Sequence, residues 1–227
     1  MLIRTISPND TMFQGNRDHY FNVGKSAIEC INLAIKLSKN QKVHNILDLP
    51  CGYGRVLRAI KNEFPKANIT ACDLEKNGVD FCINTFGAAG IYSNEDLSQV
   101  DIKGKFDLIW CGSLLTHIDM YYAQEFLDFL IGRLESGGVL VVTIHGWNSF
   151  NFLDRYGDIN VAKIRQEYNI CGYGYSDYDG CKNYGISIIK PSWIMSYLEQ
   201  KRDIKLLYYS EKLWDDHQDV LAIQKIT

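Results

Sequence analysis

Apolar residues fall along this chain in two alternating rhythms. Short continuous runs, of the kind that form buried strands, alternate with longer stretches carrying one apolar stripe, of the kind that form helices. Residues 24–38 place Ala27, Ile28, Ile31, Leu33, Ala34, Ile35 and Leu37 largely on one helical stripe. The run 43–50 (VHNILDLP) reads as a buried strand whose polar end is Asp48. A helix follows over about 55–64. A second strand at 68–74 ends on Asp73, a helix runs to 86, and a weak strand lies near Gly90–Ser93. Residues 106–113 form a fourth strand and 120–134 a helix. Gly137-Gly138 breaks that helix, and 139–145 (VLVVTIH) is the most apolar strand of all.

Strand and helix in alternation predict a parallel sheet, with right-handed crossovers and helices on both faces. The rhythm changes after His145. Residues 146–190 are rich in Tyr, Gly, Asn and Asp, with one helical piece at about 160–170. Pro191 is a good first residue for a helix to Gln200. Strands at 204–210 and 219–226 follow, joined too briefly for a crossover, so they pair antiparallel. The expected fold is α/β: a Rossmann-like, doubly wound, seven-stranded sheet, mostly parallel with one antiparallel C-terminal strand. A chain of 227 residues fits one domain, 1–227, with an N-terminal cap segment at 1–40 and a substrate-side insertion at about 146–190.

Composition narrows the picture. A formal net charge of −3 and no basic run argue against a nucleic-acid partner. Seven cysteines, an odd number with no CxxC pair, suit a reducing cytoplasm rather than a disulfide framework or zinc site. No secretory signal and no apolar run of membrane-spanning length are visible, so the expected location is cytoplasmic. No cluster has metal-ligand spacing, and no metal is expected.

The segment Asp48-Leu49-Pro50-Cys51-Gly52-Tyr53-Gly54-Arg55 joins the first strand of the sheet to a helix. Glycines there let the backbone turn tightly and approach a ligand. By itself the pair fits a plain turn, a nicotinamide dinucleotide site or another nucleoside site. Asp48 at the strand end repels a pyrophosphate, and Leu57 stands where a third helix-packing glycine would be. A ligand with an amino group fits better. Asp73, at the end of the next strand, is placed to accept hydrogen bonds from a ribose diol.

With these features the sequence resembles the class I S-adenosylmethionine-dependent methyltransferases, over about residues 40–145 and more loosely at the final strand pair. The D-x-x-x-G-x-G loop, Asp73, the strand Phe106–Ser113 and Gly137-Gly138 carry the resemblance; Pro50 departs from the usual first glycine. The resemblance implies S-adenosyl-L-methionine as cofactor, with S-adenosyl-L-homocysteine as product. Asp48, Leu49, Pro50, Gly52 and Gly54 would hold its methionine portion. Asp73 would bind the ribose and Leu74 the adenine, with Asn94, Glu95 or Asp96 near the adenine amino group. Cys111, Gly112 and Ser113 would floor the site beside the methyl group.

Ligands of open parallel sheets sit at the C-terminal ends of the strands. That rule brings His117, His145 and His217 to one rim. His145 or His117 is the expected general base for a hydroxyl acceptor. Substrate contacts are expected from Tyr20, Trp147, His217 and the insertion tyrosines, Tyr173 and Tyr175 among them. The whole-chain pattern also resembles methyltransferases associated with bacterial glycan and glycosyltransferase modules. It implies O-methylation of a saccharide or another small polar acceptor. A small-metabolite acceptor is the alternative, and a non-catalytic nucleoside-binding module is the rival of another class.

Overall fold

Alternate residues of the central strands feed two separate cores, one on each face of the sheet. The computed structural model describes residues 2–38 and 42–226. Strands β1 (Asn45–Asp48), β2 (Asn68–Asp73), β3 (Ala89–Tyr92), β4 (Phe106–Cys111) and β5 (Leu134–Ile144) run parallel, in spatial order β3-β2-β1-β4-β5. Leu47, Ile109 and Leu140 point to one face. There they meet Leu127 and Ile131 of α4 (Met120–Gly132), and Ile194 and Tyr197 of α7 (Pro191–Glu199). Ile46, Leu108 and Val141 point to the other. They pack with Ile31 of α1 (Arg17–Ser38), Ile60 of α2 (Leu57–Glu63) and Val79 of α3 (Lys76–Phe86). The period of two along a strand makes this division, and burial on both faces makes the strands continuously apolar.

The sheet is completed by β8 (Ile204–Trp214) and β9 (Gln218–Lys225), giving seven strands in the order β3-β2-β1-β4-β5-β9-β8. β9 pairs antiparallel with both neighbours and is the one reversed strand of this sheet. Among the described residues, no helix is long and apolar enough to cross a membrane.

Three expectations about elements change. Gly137-Gly138 does not separate a helix from a strand; α4 has ended by Gly132, and β5 runs through the glycine pair. Gly137 takes φ 81°, the register against β4 shifts between Phe106 and Leu108, and a Cβ on Gly138 would lie 2.7 Å from the Phe106 carbonyl oxygen. The pair is a bulge inside a strand. The first helix begins at Arg17 rather than 24, because the Asn16 side chain accepts a hydrogen bond from the His19 N–H (3.0 Å) and caps it. The expected cap segment, 1–40, is described over 2–38. In the last strand pair, the turn shrinks to Asp215, Asp216 and His217 as β8 extends to Trp214.

The insertion is more ordered than its composition suggests. It holds α5 (Trp147–Asn151), α6 (Val161–Cys171) and an antiparallel hairpin of β6 (Tyr173–Asp177) and β7 (Gly185–Ile189). Leu153, Ile164, Tyr168, Ile186 and Ile188 give it a core of its own. The glycines that made it read as loop are packing requirements. A Cβ on Gly174 would stand 2.2 Å from the Ile164 carbonyl oxygen, and one on Gly185 would stand 1.9 Å from that of Ser176. Gly174→Ala is therefore expected to cost about 1–3 kcal/mol. For a chain of this size each kcal/mol lowers the thermal midpoint by roughly 2–4 °C. An unchanged melting curve would show that the hairpin is not held against α6.

Candidate active site

The loop after β1 is strung between its two neighbouring strands. The Leu49 N–H donates to the Trp110 carbonyl (3.1 Å) and the Cys51 N–H to that of Cys72 (3.0 Å). Gly52 and Gly54 take φ values of 49° and 73°, which side chains with a Cβ rarely adopt. The Gly52 N–H donates to one carboxylate oxygen of Asp73 (2.7 Å), and the Glu75 N–H donates to the other (2.9 Å). Burial raises the Asp73 carboxyl above its usual range while these backbone donors pull it down. Gly78, unremarked in the sequence, is where α3 meets the loop: a Cβ there would stand 2.5 Å from the Gly52 carbonyl oxygen. It supplies from the next helix the close approach that Leu57 does not.

Asp48 lies sealed beneath this loop. It is 1% exposed, and neither carboxylate oxygen has a hydrogen-bond partner. Burial, with the neighbouring Asp73 charge, pushes its carboxyl well above the usual range. Buried polar groups are almost always satisfied, so a doubly orphaned carboxyl marks a place built for a cationic or hydrogen-bonding ligand.

A cleft of about 720 Å³ opens over the loop. Leu49, Pro50, Gly52, Asp73, Leu74, Asn94 and Glu95 line one part of it. Gly112, Ser113 and His117 line the other, so those expected site residues converge. Several others do not: Asp48 is sealed beneath the loop and is not part of the cleft wall. Gly54 packs beneath, where a Cβ would meet the Phe86 ring at 2.5 Å. Asp96 turns away to cap a short helical turn, accepting from the Ser98 N–H (2.9 Å). Cys111 is fully buried in the core.

Most of the residues expected to contact substrate also lie away from the cleft. Tyr20 is buried in α1 and does not line the cleft. Its hydroxyl donates to Asp10 (2.5 Å) and accepts from Arg58 (3.2 Å), tying down the segment Asn9–Met12 that lines the cleft. Trp147 is exposed outside the cleft and stacks on Phe150. Tyr173 spends its hydroxyl on the Ile118 carbonyl (2.8 Å), and Tyr175 on Asp177 (2.5 Å). In their place the cleft takes Tyr122 and Phe126 from α4, and Lys182, Asn183 and Tyr184 from the hairpin tip. Arg55 and Trp214 also line it, with the guanidinium 6.0 Å from the indole ring centre. Arg55 follows directly on the second glycine of the motif. The hairpin contacts carried no readable spacing.

The three rim histidines do meet. The ring of His145 lies 6.4 Å from that of His117 and 5.4 Å from that of His217. They are not equivalent. His117 alone of the three lines the cleft. Its Nδ1 stands 2.8 Å from the Gly185 carbonyl oxygen and its ring stacks on Tyr184 at 4.9 Å. A carbonyl only accepts, so Nδ1 carries the hydrogen and Nε2 keeps its lone pair. Burial lowers its pKa from 6.5. His145 is sealed behind it, with Nδ1 unpartnered, and His217 approaches the Tyr156 hydroxyl at 3.4 Å.

Burial, helped by the two neighbouring imidazoles, pulls the pKa of His145 down to about 3. Unfolding lets it take up a proton at its ordinary pKa of 6.5. Its contribution to stability is thus present above pH 6.5 and is lost as pH falls towards 3. His145→Gln is expected to flatten the loss of thermal stability between pH 7 and pH 4; parallel curves for the two proteins would contradict this.

Residues 47–140 match the family model described as methyltransferase domain. Over 109 residues the chain is 29% identical to ribosomal RNA small subunit methyltransferase C of Salmonella choleraesuis, a match covering 45% of this chain and 31% of that protein. Over 139 residues it is 23% identical to malonyl-[acyl-carrier protein] O-methyltransferase of Acetivibrio thermocellus, covering 61% and 48%. The matches thus span about a third to a half of those curated relatives. An S-adenosylmethionine-dependent methyltransferase structure from Clostridium acetobutylicum aligns with a TM-score of 0.61 at 20% identity, covering 90% of this chain and 92% of that one. Other matched methyltransferase structures hold S-adenosylhomocysteine.

Proposed function

We propose that this chain, whose residues 47–140 match a methyltransferase domain, transfers the methyl group of S-adenosylmethionine to a small polar acceptor, with His117 taking the acceptor's proton. The observation that carries the reading is the orphaned Asp48 carboxyl beneath a glycine loop, beside a second carboxylate at Asp73. A ligand with an ammonium group and a ribose diol answers both. Bound there, S-adenosylmethionine supplies an electrophilic methyl group on a sulfonium sulfur.

The residues present fit that ligand. Asp48 would answer the ammonium of the methionine portion and Arg55 its carboxylate, with Leu49, Pro50 and Gly52 around them. Asp73 would hold the ribose. Leu74, 56% exposed beside it, offers an apolar surface to the adenine, with Asn94 and Glu95 near the adenine amino group. The protein's chief task is then to place the acceptor in line with the methyl carbon, which is worth several orders of magnitude in rate. His117 lines the cleft, its Nε2 keeps a lone pair, and the ring is neutral at pH 7, as a general base must be.

The finer reading is O-methylation of a saccharide. Tyr122 and Tyr184 give flat surfaces for a sugar ring, and Asn183 and Lys182 give hydrogen-bonding groups. On this reading the chain works beside glycan-assembling enzymes. The net charge of −3 favours such an acceptor over RNA. Titration calorimetry with S-adenosylmethionine, S-adenosylhomocysteine and NAD tests the cofactor. One molecule of either of the first two should bind per chain. Failure of both to bind, with NAD binding instead, would overturn the proposal. Release of S-adenosylhomocysteine in the presence of individual saccharides tests the acceptor.

A further inference from the structure

We propose that Ser113 donates a hydrogen bond to the atom being methylated, that Gln218 and Thr143 are positioning residues that set this polarity, and that the site thereby selects a hydroxyl over an amine. The inference rests on the methyltransferase reading above and deepens it.

Ser113 stands just past the end of β4 with φ 63°, an uncommon conformation for a residue with a side chain. A closed ring of hydrogen bonds holds it there. Its N–H donates to the Thr143 hydroxyl (2.8 Å). The Thr143 hydroxyl donates to the Gln218 amide oxygen (2.5 Å). The Gln218 amide nitrogen donates back to the Ser113 hydroxyl oxygen (2.6 Å). Thr143 is fully buried and Gln218 is 7% exposed. The direction of the ring follows from the chemistry of its members. With the amide turned the other way, the Thr143 hydroxyl would face two N–H donors and its own hydrogen would have no acceptor in the ring.

This ring uses the Ser113 oxygen as an acceptor and leaves its hydrogen unspent, on a side chain that lines the cleft. Four residues on, His117 is fixed with the opposite polarity: the Gly185 carbonyl takes its Nδ1 hydrogen, and Nε2 keeps a lone pair. The turn between them is closed by the Thr116 hydroxyl on the Ser113 carbonyl (2.8 Å) and the His117 N–H on that of Leu114 (3.0 Å). One cleft wall therefore offers one donor and one acceptor.

A hydroxyl oxygen matches both and keeps a free pair. It gives its hydrogen to His117 Nε2, accepts from Ser113, and directs its second lone pair at the methyl carbon. As the oxygen–carbon bond forms, the carbon–sulfur bond breaks and its electrons stay on sulfur. The hydroxyl proton goes to Nε2, so the positive charge moves from the sulfonium to the imidazolium. A neutral amine nitrogen has a single lone pair. Spent on the methyl carbon, it leaves the Ser113 hydrogen facing a group that cannot accept it. An unanswered donor facing the reacting atom should cost the amine about 10-fold in kcat/KM.

The first readout does not depend on turnover. A high-resolution crystal structure of the S-adenosylhomocysteine complex should show one water within hydrogen-bond distance of both Ser113 Oγ and His117 Nε2. Gln218→Glu turns the Ser113 hydrogen towards the new carboxylate; a water keeps its place there by donating both of its hydrogens, so this variant is read by its acceptor preference. The second readout is methyl transfer to phenol and to aniline, a matched pair of probes. Wild type and Thr143→Ser, which keeps the hydroxyl, should prefer phenol by about 10-fold; Ser113→Ala and Gln218→Glu should lose that preference. Ser113 and His117 atoms more than about 6 Å apart, too far for one oxygen to bridge, would overturn the inference. So would a preference for aniline, and the structural readout decides where neither probe reacts. Calorimetry separates the two levels: a wild-type chain that binds no S-adenosylhomocysteine refutes the methyltransferase reading itself.

Discussion

Alanine at His117 is expected to lower kcat by about 10²–10⁴-fold, the range for losing a positioned general base. Binding of S-adenosylhomocysteine should change little, because Asp48, Asp73 and the glycine loop are untouched. Two features single out this histidine. It lines the cleft, and the Gly185 carbonyl fixes the tautomer in which Nε2 can accept a proton. Burial holds its pKa below 6.5, so the base is already in its active form at neutral pH. The wild-type pH profile of kcat/KM should then rise from the acid side with a midpoint below 6.5 and stay flat above. His145→Ala is the informative contrast. That ring is sealed and packs against the rings of His117, Tyr156 and His217, so the variant should lose thermal stability more than turnover. A His117→Ala enzyme within about 3-fold of wild type would remove general-base catalysis from the mechanism.

The alternation of strands and helices was legible because it rests on local patterns. Ile46-Leu47 and Leu108-Ile109 are buried on both faces and so appear as unbroken apolar runs. Asp48 and Asp73 were legible for a similar reason: each is the polar end of such a run. What stayed hidden depends on partners far away in the chain. Ser113 and Gln218 are 105 residues apart, and neither residue type signals the other. The hairpin was hidden because Gly174 and Gly185, which weaken any strand prediction, are there for close backbone approach. Tyr20 was misassigned for the converse reason. An aromatic beside a ligand and one buried on an arginine look alike in sequence, and only the contacts to Asp10 and Arg58 separate them. The rim histidines lie between these cases. Strand direction alone brought them to one edge, but only side-chain geometry shows that one faces the cleft while another is sealed behind it.

Asp48→Asn should move cofactor affinity and stability in opposite directions. With no cofactor, the wild-type chain holds a carboxyl that nothing in the protein satisfies. Its folded pKa is raised by burial and by Asp73, so the folded state favours the protonated form. Stability from this group is then full below the unfolded carboxyl pKa of 3.8 and declines as pH rises through the higher folded value. Near neutral pH, exchanging the carboxyl for an uncharged amide removes that penalty and should stabilise the ligand-free protein by about 1–3 kcal/mol. The thermal midpoint should rise by roughly 2–4 °C per kcal/mol, and its dependence on pH above 4 should flatten. With cofactor the sign reverses. The amide cannot balance an ammonium charge, and truncating one partner of a buried charge pair typically costs about 2–5 kcal/mol. That corresponds to a roughly 30- to 5,000-fold weaker Kd for S-adenosylmethionine. Differential scanning fluorimetry with and without the cofactor reads both effects on one sample: a higher midpoint alone and a smaller ligand-induced shift. A variant that melts lower and binds as well as wild type would mean that Asp48 supports the sheet edge, and the case for a cationic ligand at this site would fall with it.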